Sequence, residues 1–525
     1  MCNHTIVHLT TGKPGFFHSI PLSHEFEMST FPVGDSNIDI SEELEGTVET
    51  SEIEIVGVDN VATDAVEIKL SNESGTALKT ETTGSTVLSG ESLTGTTEDP
   101  ASINLVTDGS KEVQTVIVNT ASIANTVITT AESTDGSTVA AAAIDISAAN
   151  VESVSIKTAS TDQKSVVNFD QTTETIAGVR VELEGVGGDL NIQTASVEGV
   201  EFNASGSESS DITFGSEVES VSGAQIELAE AGGSVSLESG TLSDSVIAIS
   251  STGSANNVVS IGENVASVTD TTIELDKGSS TIEVASATVE DLTISTSSKQ
   301  TSTLNIDSDN ITNFTLNTQK AETNLSLASV NELSNVVLSS TAKKNGALTA
   351  SIDAVSTGTT ITNEKSATID ATFTKKAVDP SFTSEGNGII EAAFDKKAVG
   401  VEFLIEKGAV DSTFTGKTNG ITVSASSTKK PIDLEFEKSV KDADLTFGSG
   451  SDSIIFGGAI KGENTIDLGN DGKADTVTIV KPGKIKESLT ISNAGGKDIF
   501  NIGGDVYTAS ELLQNPFENL IIELS

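Results

Sequence analysis

Two neighbouring segments read ATFTKKAVDPSFT at residues 371–383 and AAFDKKAVGVEFL at residues 392–404. The second segment repeats the first, so Phe394 corresponds to Phe373 and Phe403 to Phe382. Apolar and polar residues alternate around each phenylalanine, which is the pattern of a half-buried strand. A unit this short that still contains two such strands predicts one coil of a stacked parallel structure.

The same periodicity continues along most of the chain. Short alternating segments recur at intervals of roughly 21 to 24 residues, as expected of a repeat architecture, and a second series lies between them. The first series is centred on or ends at Ile146, Phe169, Ile192, Phe214, Leu237, Ile261, Val284, Ile306 and Leu327. Corners rich in Gly, Ser, Asn and Asp separate the strands. We therefore predict an all-β fold, a parallel β-solenoid (β-helix) with coils of about 23 residues, two main strands per coil and a C-terminal cap.

The composition agrees with a thin core. The chain has no Trp and one Tyr, and aromatic residues make up 4% of its 525 residues. Val, Ile, Leu and Ala suit the narrow interior of a solenoid, where large rings fit poorly. A string of immunoglobulin-like sandwiches is the main alternative, but those domains need antiparallel strands and usually a core Trp. The composition and the short period both favour the solenoid.

The charge balance excludes two kinds of partner. Lys and Arg number 29 against 77 Asp and Glu, which gives a formal net charge of −48. Such a surface repels nucleic acid and anionic membranes. No apolar run reaches the ~18 residues of a membrane-spanning helix, and no basic segment followed by an apolar run opens the chain. We expect no membrane insertion and, if the protein is exported, a route without an N-terminal signal.

The segment 1–27 differs from the rest of the chain. It contains Cys2, which is the single cysteine, and all four histidines. Two interpretations stay open: a divergent N-terminal arm, or an upstream start codon with the native chain beginning at Met28. The irregular spacing of these residues is a weak indication of a metal site.

Three regularly spaced aspartates mark the C-terminal part. Asp452, Asp475 and Asp498 follow one another at a constant interval, the length of one coil, and Gly448 and Gly450 precede the first. The pattern Gly-x-Gly-x-Asp-x-apolar resembles the nonapeptide of repeat-in-toxin proteins. That resemblance implies Ca²⁺ bound in a parallel β-roll, with the three aspartates as ligands. The family's units are much shorter, however, and only the first copy here keeps both glycines. The alternative interpretation is Gly-Asp corners of the same solenoid.

The tail suggests a mode of export. Thr508 and Glu511 form a candidate capping box for a short helix, which Pro516 ends. Gly-Asp repeats followed by such a tail resemble the substrates of type I secretion systems. The Ser-, Thr- and Val-rich solenoid before them is similar to type I-secreted surface-layer proteins and adhesins of Gram-negative bacteria. These resemblances imply an extracellular location at the cell surface.

These observations divide the chain into five predicted regions. They are an atypical N-terminal arm (1–27), a strand-rich N-terminal region (28–110), the β-solenoid (111–446), repeat-in-toxin-like coils (447–506), and a C-terminal cap with a candidate secretion signal (507–525).

The functional expectation is a self-assembling structural protein. The repetition favours a subunit of a surface layer or filament, with Ca²⁺ bridging acidic surfaces and with other copies of the chain as partners. An adhesin or fibre module that binds a surface partner or a polysaccharide is the alternative. We predict no enzymatic activity, because after His24 the chain has no histidine, one arginine (Arg180) and no Trp. A glycosidase-like pair of carboxylates is the least favoured interpretation, since acidic pairs occur throughout.

Overall fold

The structure is a computed structural model that confirms the predicted class. The chain forms a parallel β-solenoid of about 16 turns. The described residues are 37–39, 51–55, 66–70, 76–80, 85–94, 101–106, 114–131 and 141–525, except 162, 252–255, 298–299, 321 and 344–345. The predicted N-terminal arm, with Cys2 and the four histidines, lies outside this part of the chain.

The strands fall into two compact units, Met1–Ala266 and Ser267–Ser525, and the boundary lies within one strand, β23 (Asn256–Thr269). The strands of the first unit are β1 (Asn37–Asp39), β2 (Ser51–Ile55), β3 (Val66–Leu70), β4 (Thr76–Thr80), β5 (Ser85–Thr94), β6 (Ala101–Val106), β7 (Gln114–Ala124), β8 (Thr126–Ala131), β9 (Ala142–Ser147), β10 (Asn150–Glu152), β11 (Ser155–Ser160), β12 (Ser165–Phe169), β13 (Thr175–Ala177), β14 (Arg180–Gly185), β15 (Gly188–Ile192), β16 (Ser196–Glu198), β17 (Glu201–Gly206), β18 (Ser210–Phe214), β19 (Ser220–Ser222), β20 (Gln225–Glu230), β21 (Gly233–Ser243) and β22 (Val246–Ser250).

The second unit also consists mainly of short β-strands. Its elements are β24 (Thr272–Asp276), β25 (Ser279–Glu290), β26 (Thr293–Thr296), β27 (Ser302–Thr312), β28 (Thr315–Thr318), β29 (Thr323–Ser334), β30 (Val337–Ser340), β31 (Ala347–Thr357), β32 (Thr360–Asn363), β33 (Thr368–Phe373), β34 (Ala377–Val378), β35 (Ser381–Ser384), β36 (Ile389–Phe394), β37 (Ala398–Ile405), β38 (Ala409–Phe414), β39 (Thr418–Ser424), β40 (Ile432–Phe436), β41 (Val440–Thr446), β42 (Ser453–Phe456), β43 (Ile460–Lys461), β44 (Glu463–Asp467), β45 (Thr476–Ile479), a 3₁₀ turn (Pro482–Lys484), β46 (Ser488–Ala494), β47 (Ile499–Ile502), β48 (Asp505–Tyr507), α1 (Ala509–Gln514) and β49 (Leu520–Leu524).

Several coils of the first unit add a third, very short strand to the two main strands. The coil β10–β11–β12 pairs in parallel and in register with β13–β14–β15, and that coil with β16–β17–β18. The two longer strands of each coil are the ones that the sequence predicts. The third strand is very short and buries a single apolar side chain, such as Val151 in β10 or Ile176 in β13. One apolar residue makes no alternating pattern, which explains why sequence reasoning missed this strand.

Phenylalanine rings stack through the core of the second unit. The register puts Phe373 against Phe394, with ring centroids 4.9 Å apart, and Phe382 against Phe403 at 4.7 Å, which confirms both predicted pairs. The first column continues to Phe414 and beyond in nearly parallel stacks. Because each coil from Phe373 to Phe456 supplies a ring at the same register position, the parallel strands bring successive rings within stacking distance.

One corner of most coils adopts a left-handed backbone. In the second unit the φ angles of Asp291, Asn313 and Asn335 are 53°, 55° and 52°. Asn313 donates its amide Nδ2–H to Oδ1 of Asp291 at 3.0 Å, and Asn335 donates in turn to Asn313 at 3.1 Å. Further along, Gly358 takes the same conformation. Gly, Asn and Asp are the residues that tolerate positive φ best, which explains the polar corners seen in the sequence.

The C-terminal end closes as an irregular cap. The strands β47 and β48 form an antiparallel pair, and β49 lies parallel against β46. The helix α1 begins after the predicted capping box: Thr508 Oγ1 accepts the Glu511 backbone N–H, and Glu511 Oε2 accepts the Thr508 N–H at 2.8 Å. The side chain of Leu512, on this helix, is buried.

Candidate functional site

The three aspartates predicted as metal ligands lie in one column, here called the aspartate column. The parallel register of β42, β45 and β47 stacks Asp452, Asp475 and Asp498 in successive coils. All three side chains are buried, with 2 to 3% of their surface exposed. Asp452 lies two positions before Ile454 and four before Phe456, both of which face the core. The constant spacing predicts the stacking, and this alternation is the signal from which the burial could have been predicted.

Each carboxylate of the column accepts a hydrogen bond from the preceding coil. Ile432 N–H donates to Oδ1 of Asp452 at 2.8 Å, Asp452 N–H to Oδ1 of Asp475 at 2.8 Å, and Asp475 N–H to Oδ1 of Asp498 at 3.1 Å. Oδ2 of Asp498 also accepts Gly495 N–H at 2.6 Å. The column therefore satisfies backbone donors at a buried corner, where an unpaired N–H would be costly.

Serine side chains accept the equivalent hydrogen bonds in the first unit. Oγ of Ser165 accepts Ala142 N–H at 3.2 Å, and Oγ of Ser210 accepts Gly188 N–H at 3.1 Å. Both serines open a strand, β12 and β18, as the aspartates directly precede theirs. A neutral hydroxyl is therefore sufficient for this hydrogen bond. The backbone alone does not explain why the C-terminal coils carry carboxylates instead.

Burial makes two of these carboxyl groups, Asp452 and Asp475, unusually weak acids. Desolvation is the largest influence on Asp452 and raises its pKa to about 7, although the hydrogen bond from Ile432 opposes the rise. The pKa of Asp475 rises to about 6, again chiefly through desolvation, with the charge of Asp498 adding to it. Asp471 raises the pKa of both groups by like-charge repulsion. Asp452 and Asp475 thus change their charge near neutral pH.

Two oxygen atoms beside the column lack protein partners. Oδ2 of Asp452 and Oδ2 of Asp471 are buried and accept no hydrogen bond, while Oδ1 of Asp471 accepts Lys473 N–H at 2.7 Å. Calcium takes six to eight oxygen ligands, and two free oxygens fall well short of that number. Among the described residues no group of three or more His, Cys, Asp or Glu side chains is arranged to hold a metal ion. The role of Asp452, Asp475 and Asp498 as Ca²⁺ ligands stays a prediction.

Steric contacts explain why the repeat-in-toxin-like motif has glycine at positions 448 and 450. A Cβ atom at Gly448 would collide with the carbonyl oxygen of Thr428, and one at Gly450 with that of Lys430. Both contacts are with the backbone of the preceding coil. The glycines therefore allow two corners to approach closely, which accounts for them without a bound ion.

A second array of acids lies on the outer surface, and the sequence analysis did not identify it. Strands β33, β36, β38 and β40 place Asp370, Glu391, Asp411 and Asp433 in one in-register row, here called the carboxylate column. Partial burial raises the pKa of Glu391, and the charges of Asp370 and Asp411 raise it further. Burial and the charge of Asp411 likewise raise the pKa of Asp433. Like charges directly opposite on neighbouring strands are destabilising. The regular repeat is the signal that could have revealed the row.

Comparison with known proteins finds no significant match to a family model, to a curated protein or to a solved structure. In the described part of the chain, no helix has the length and apolar character needed to cross a membrane.

Proposed function

We propose that this chain is an extracellular structural protein whose copies assemble into a cell-surface layer or filament, with Ca²⁺ bridging acidic faces of neighbouring copies. The repeat-in-toxin-like segment and the acidic tail support export by a type I route. Other copies of the chain are the main partners, and a cell-surface polysaccharide is a further one.

The observation that carries the proposal is the carboxylate column. Its four acids repeat at the spacing of parallel strands, about 4.8 Å, and repel one another within a single copy. A divalent cation relieves this repulsion, and it prefers carboxylate oxygens. Two neighbouring acids of one row supply at most four oxygens to a single ion, fewer than the six to eight of a Ca²⁺ shell. The facing row of a second copy would supply the remainder, so cation binding and assembly are coupled in this proposal.

Electron microscopy of the full chain tests assembly directly. Purified protein is dialysed against millimolar Ca²⁺, against the same concentration of Mg²⁺, or against EGTA, and is then imaged in negative stain. We expect regular sheets or filaments with Ca²⁺ and dispersed particles with EGTA. Mg²⁺ is the matched control, because it keeps its water more tightly and suits a flexible carboxylate bridge less well.

The other outcomes are equally informative. Dispersed particles under all three conditions would contradict self-assembly and would favour the adhesin or fibre module. Equal assembly with and without Ca²⁺ would retain a structural role but remove the cation from it. A second preparation that begins at Met28 shows whether the segment 1–27 influences the result.

A further inference from the structure

Exposed apolar side chains gather near the C-terminal end of the second unit. Ten large apolar side chains are exposed in the described part of the chain, and six of them lie between Val480 and Leu524. Leu513 on α1 is 49% exposed, and Ile521 and Leu524 on β49 are 48% and 52% exposed. Scattered exposed apolar residues need no explanation, whereas a group of them marks an interaction surface.

The strand β49 has one open edge, and this explains the exposure of Leu524. Leu524 is in register with Ala494 of β46, which faces the core and is 1% exposed. Among the described strands, β49 pairs only with β46. An edge of this kind presents backbone N–H and C=O groups that pair with a further strand. A strand added here would cover Leu524, as the following coil covers Ala494.

An apolar cavity of about 230 Å³ lies beside the same edge. The residues that line it belong to α1, to the loop after this helix and to β49, and all of them are apolar. When a strand is added to a sheet edge, main-chain hydrogen bonds supply affinity and pockets for alternate side chains supply specificity. The edge and the cavity together therefore fit an extended segment that carries large apolar side chains.

The charges of this region determine which segment is compatible with it. After Lys497 the chain has no Lys, Arg or His. The same part of the chain has four acids, all exposed, and two of them, Glu511 and Glu523, lie on α1 and on β49. A segment without acids is therefore favoured here, and basic groups on it add electrostatic complementarity.

One segment of the chain has this chemistry. Residues 1–24, here called the acid-free segment, contain no Asp or Glu but contain Lys13 and all four histidines. They lie outside the described residues. The stretch 5–11 reads TIVHLTT, in which β-branched residues predominate, and Val7 and Leu9 alternate with His8. Such a composition and alternation are typical of a half-buried strand.

We propose that the acid-free segment of one copy binds the open edge of β49 in a second copy as an added strand, with an apolar side chain in the cavity. This rests on the self-assembly proposed above and names a contact between successive copies. The contact joins two different surfaces, so it repeats from copy to copy and generates a filament or a ring rather than a closed dimer.

Other strands of a second copy fit this edge less well. The strand β2, near the start of the first unit, carries Glu52 and Glu54, which would approach Glu523. Like charges on neighbouring strands are destabilising. The net charge of −48 also opposes contacts between most other surfaces of two copies. The acid-free segment avoids both costs.

Disulfide formation with the native cysteine tests the contact in the full chain. Cys2 precedes the stretch 5–11 by three residues, a reach of about 11 Å at full extension. Leu524→Cys adds a thiol at the proposed contact, and Val330→Cys adds one at a distant strand position that is 75% exposed. Both variants are oxidised in EGTA and separated on non-reducing denaturing gels. We expect a ladder of linked oligomers from Leu524→Cys at roughly ten times the yield of Val330→Cys, because binding raises the effective concentration of the thiols.

Two further controls identify the partner and the mode of binding. Adding Cys2→Ser to Leu524→Cys leaves one thiol per copy, so at most dimers form and the ladder disappears. An excess of a synthetic peptide of residues 1–24 with Cys2→Ser competes for the edge and suppresses the ladder. The same peptide with Val7→Pro keeps every charge but loses a backbone N–H, and we expect it to compete much less.

The remaining outcomes separate this inference from the proposed function. Equal ladders from Leu524→Cys and Val330→Cys overturn the inference, and so does a disulfide that forms only within one copy. Equal competition by the two peptides would show charge attraction without strand addition and overturns it as well. Arrays that form with Ca²⁺ in the absence of a ladder would leave the proposed function standing. A ladder in EGTA without Ca²⁺-dependent arrays would support the contact and remove the cation bridge.

Discussion

At the scale of single residues, the solenoid is determined by what each corner must satisfy. The left-handed corners require residues that tolerate positive φ, and Asp291, Asn313 and Asn335 add a hydrogen-bonded ladder to that requirement. Buried corners also contain backbone N–H groups that need a side-chain acceptor. Ser165 and Ser210 accept them in the first unit, and the aspartate column accepts them near the C-terminus. Serine and aspartate make the same hydrogen bond at these positions, so the charge of the aspartates is the property that remains to be explained.

That charge predicts a dependence of stability on pH. A free aspartate has a pKa near 3.9, whereas the folded chain raises that of Asp452 to about 7 and that of Asp475 to about 6. The folded state therefore binds more protons than the unfolded state between pH ~4 and ~7. The stability that these groups contribute is fully present below pH ~4 and is lost as the pH rises to ~7. Above that pH their effect is constant.

The variant Asp452→Asn isolates the effect. The amide oxygen still accepts Ile432 N–H, but the group no longer ionises. We expect little change at pH 4 and a gain at pH 8 of at most about 4 kcal/mol, the equivalent of a shift of about three pKa units. Hydrogen exchange of peptides from residues 447–506 measures the local stability. Asp505→Asn, which removes an exposed charge in the same region, is the control. A loss of stability at pH 8 would show that the ionised carboxylate is favourable there, as a bound cation would make it.

At the scale of elements, the phenylalanine column illustrates how one repeat stabilises many strands. Phe414 is fully buried and stacks on Phe394 at 4.7 Å and on Phe436 at 4.8 Å. Removing its ring leaves a cavity between two coils and interrupts the column on both sides. We expect Phe414→Ala to lower the free energy of unfolding by about 3–5 kcal/mol in urea denaturation.

A leucine at the same position separates stacking from burial. Phe414→Leu retains most of the apolar volume but loses two ring contacts, each of which contributes about 0.5–1.5 kcal/mol beyond burial. We therefore expect Phe414→Leu to lower stability by about 1–3 kcal/mol, less than Phe414→Ala. A leucine variant as stable as the wild-type protein would show that the rings contribute only their apolar area.

The strands and their stacking were predictable from the sequence, whereas the orientation of the polar side chains was largely missed. Alternating runs around Phe373 and Phe394 identify strands because the hydrophobic period is a direct consequence of the pleat. The repeat length then identifies which residues stack, including the aspartate column. The repeat length does not show which oxygen atom of Asp452 accepts which backbone N–H, because that depends on the backbone path of the preceding coil. The carboxylate column was missed for a related reason. Each of its acids has the sequence pattern of an ordinary exposed residue, and only the strand register shows that the four are adjacent.

At the scale of the whole molecule, net charge governs whether copies can meet. A charge of −48 opposes association at low ionic strength. Salt screens this repulsion, and at about 0.1 M its range, the Debye length, is about 10 Å. Sodium chloride and calcium chloride therefore act differently. Sodium ions weaken the repulsion gradually over the entire surface. Calcium ions, if they bridge carboxylate columns, act at millimolar concentrations, where the ionic strength has scarcely changed.

A titration followed by light scattering distinguishes these two effects. We expect the wild-type protein to associate steeply with millimolar CaCl₂ and only gradually with NaCl at matched ionic strength. Neutralising the carboxylate column to Asn or Gln removes four charges, and screening alone would make that variant associate more readily. Bridging has the opposite consequence, since the steep response to Ca²⁺ disappears. The control removes the same charge from exposed acids of the first unit by Gln substitution at Glu208, Glu217, Glu238 and Glu263. If both variants retain the steep response, the cation acts elsewhere, and the aspartate column becomes the next position to test.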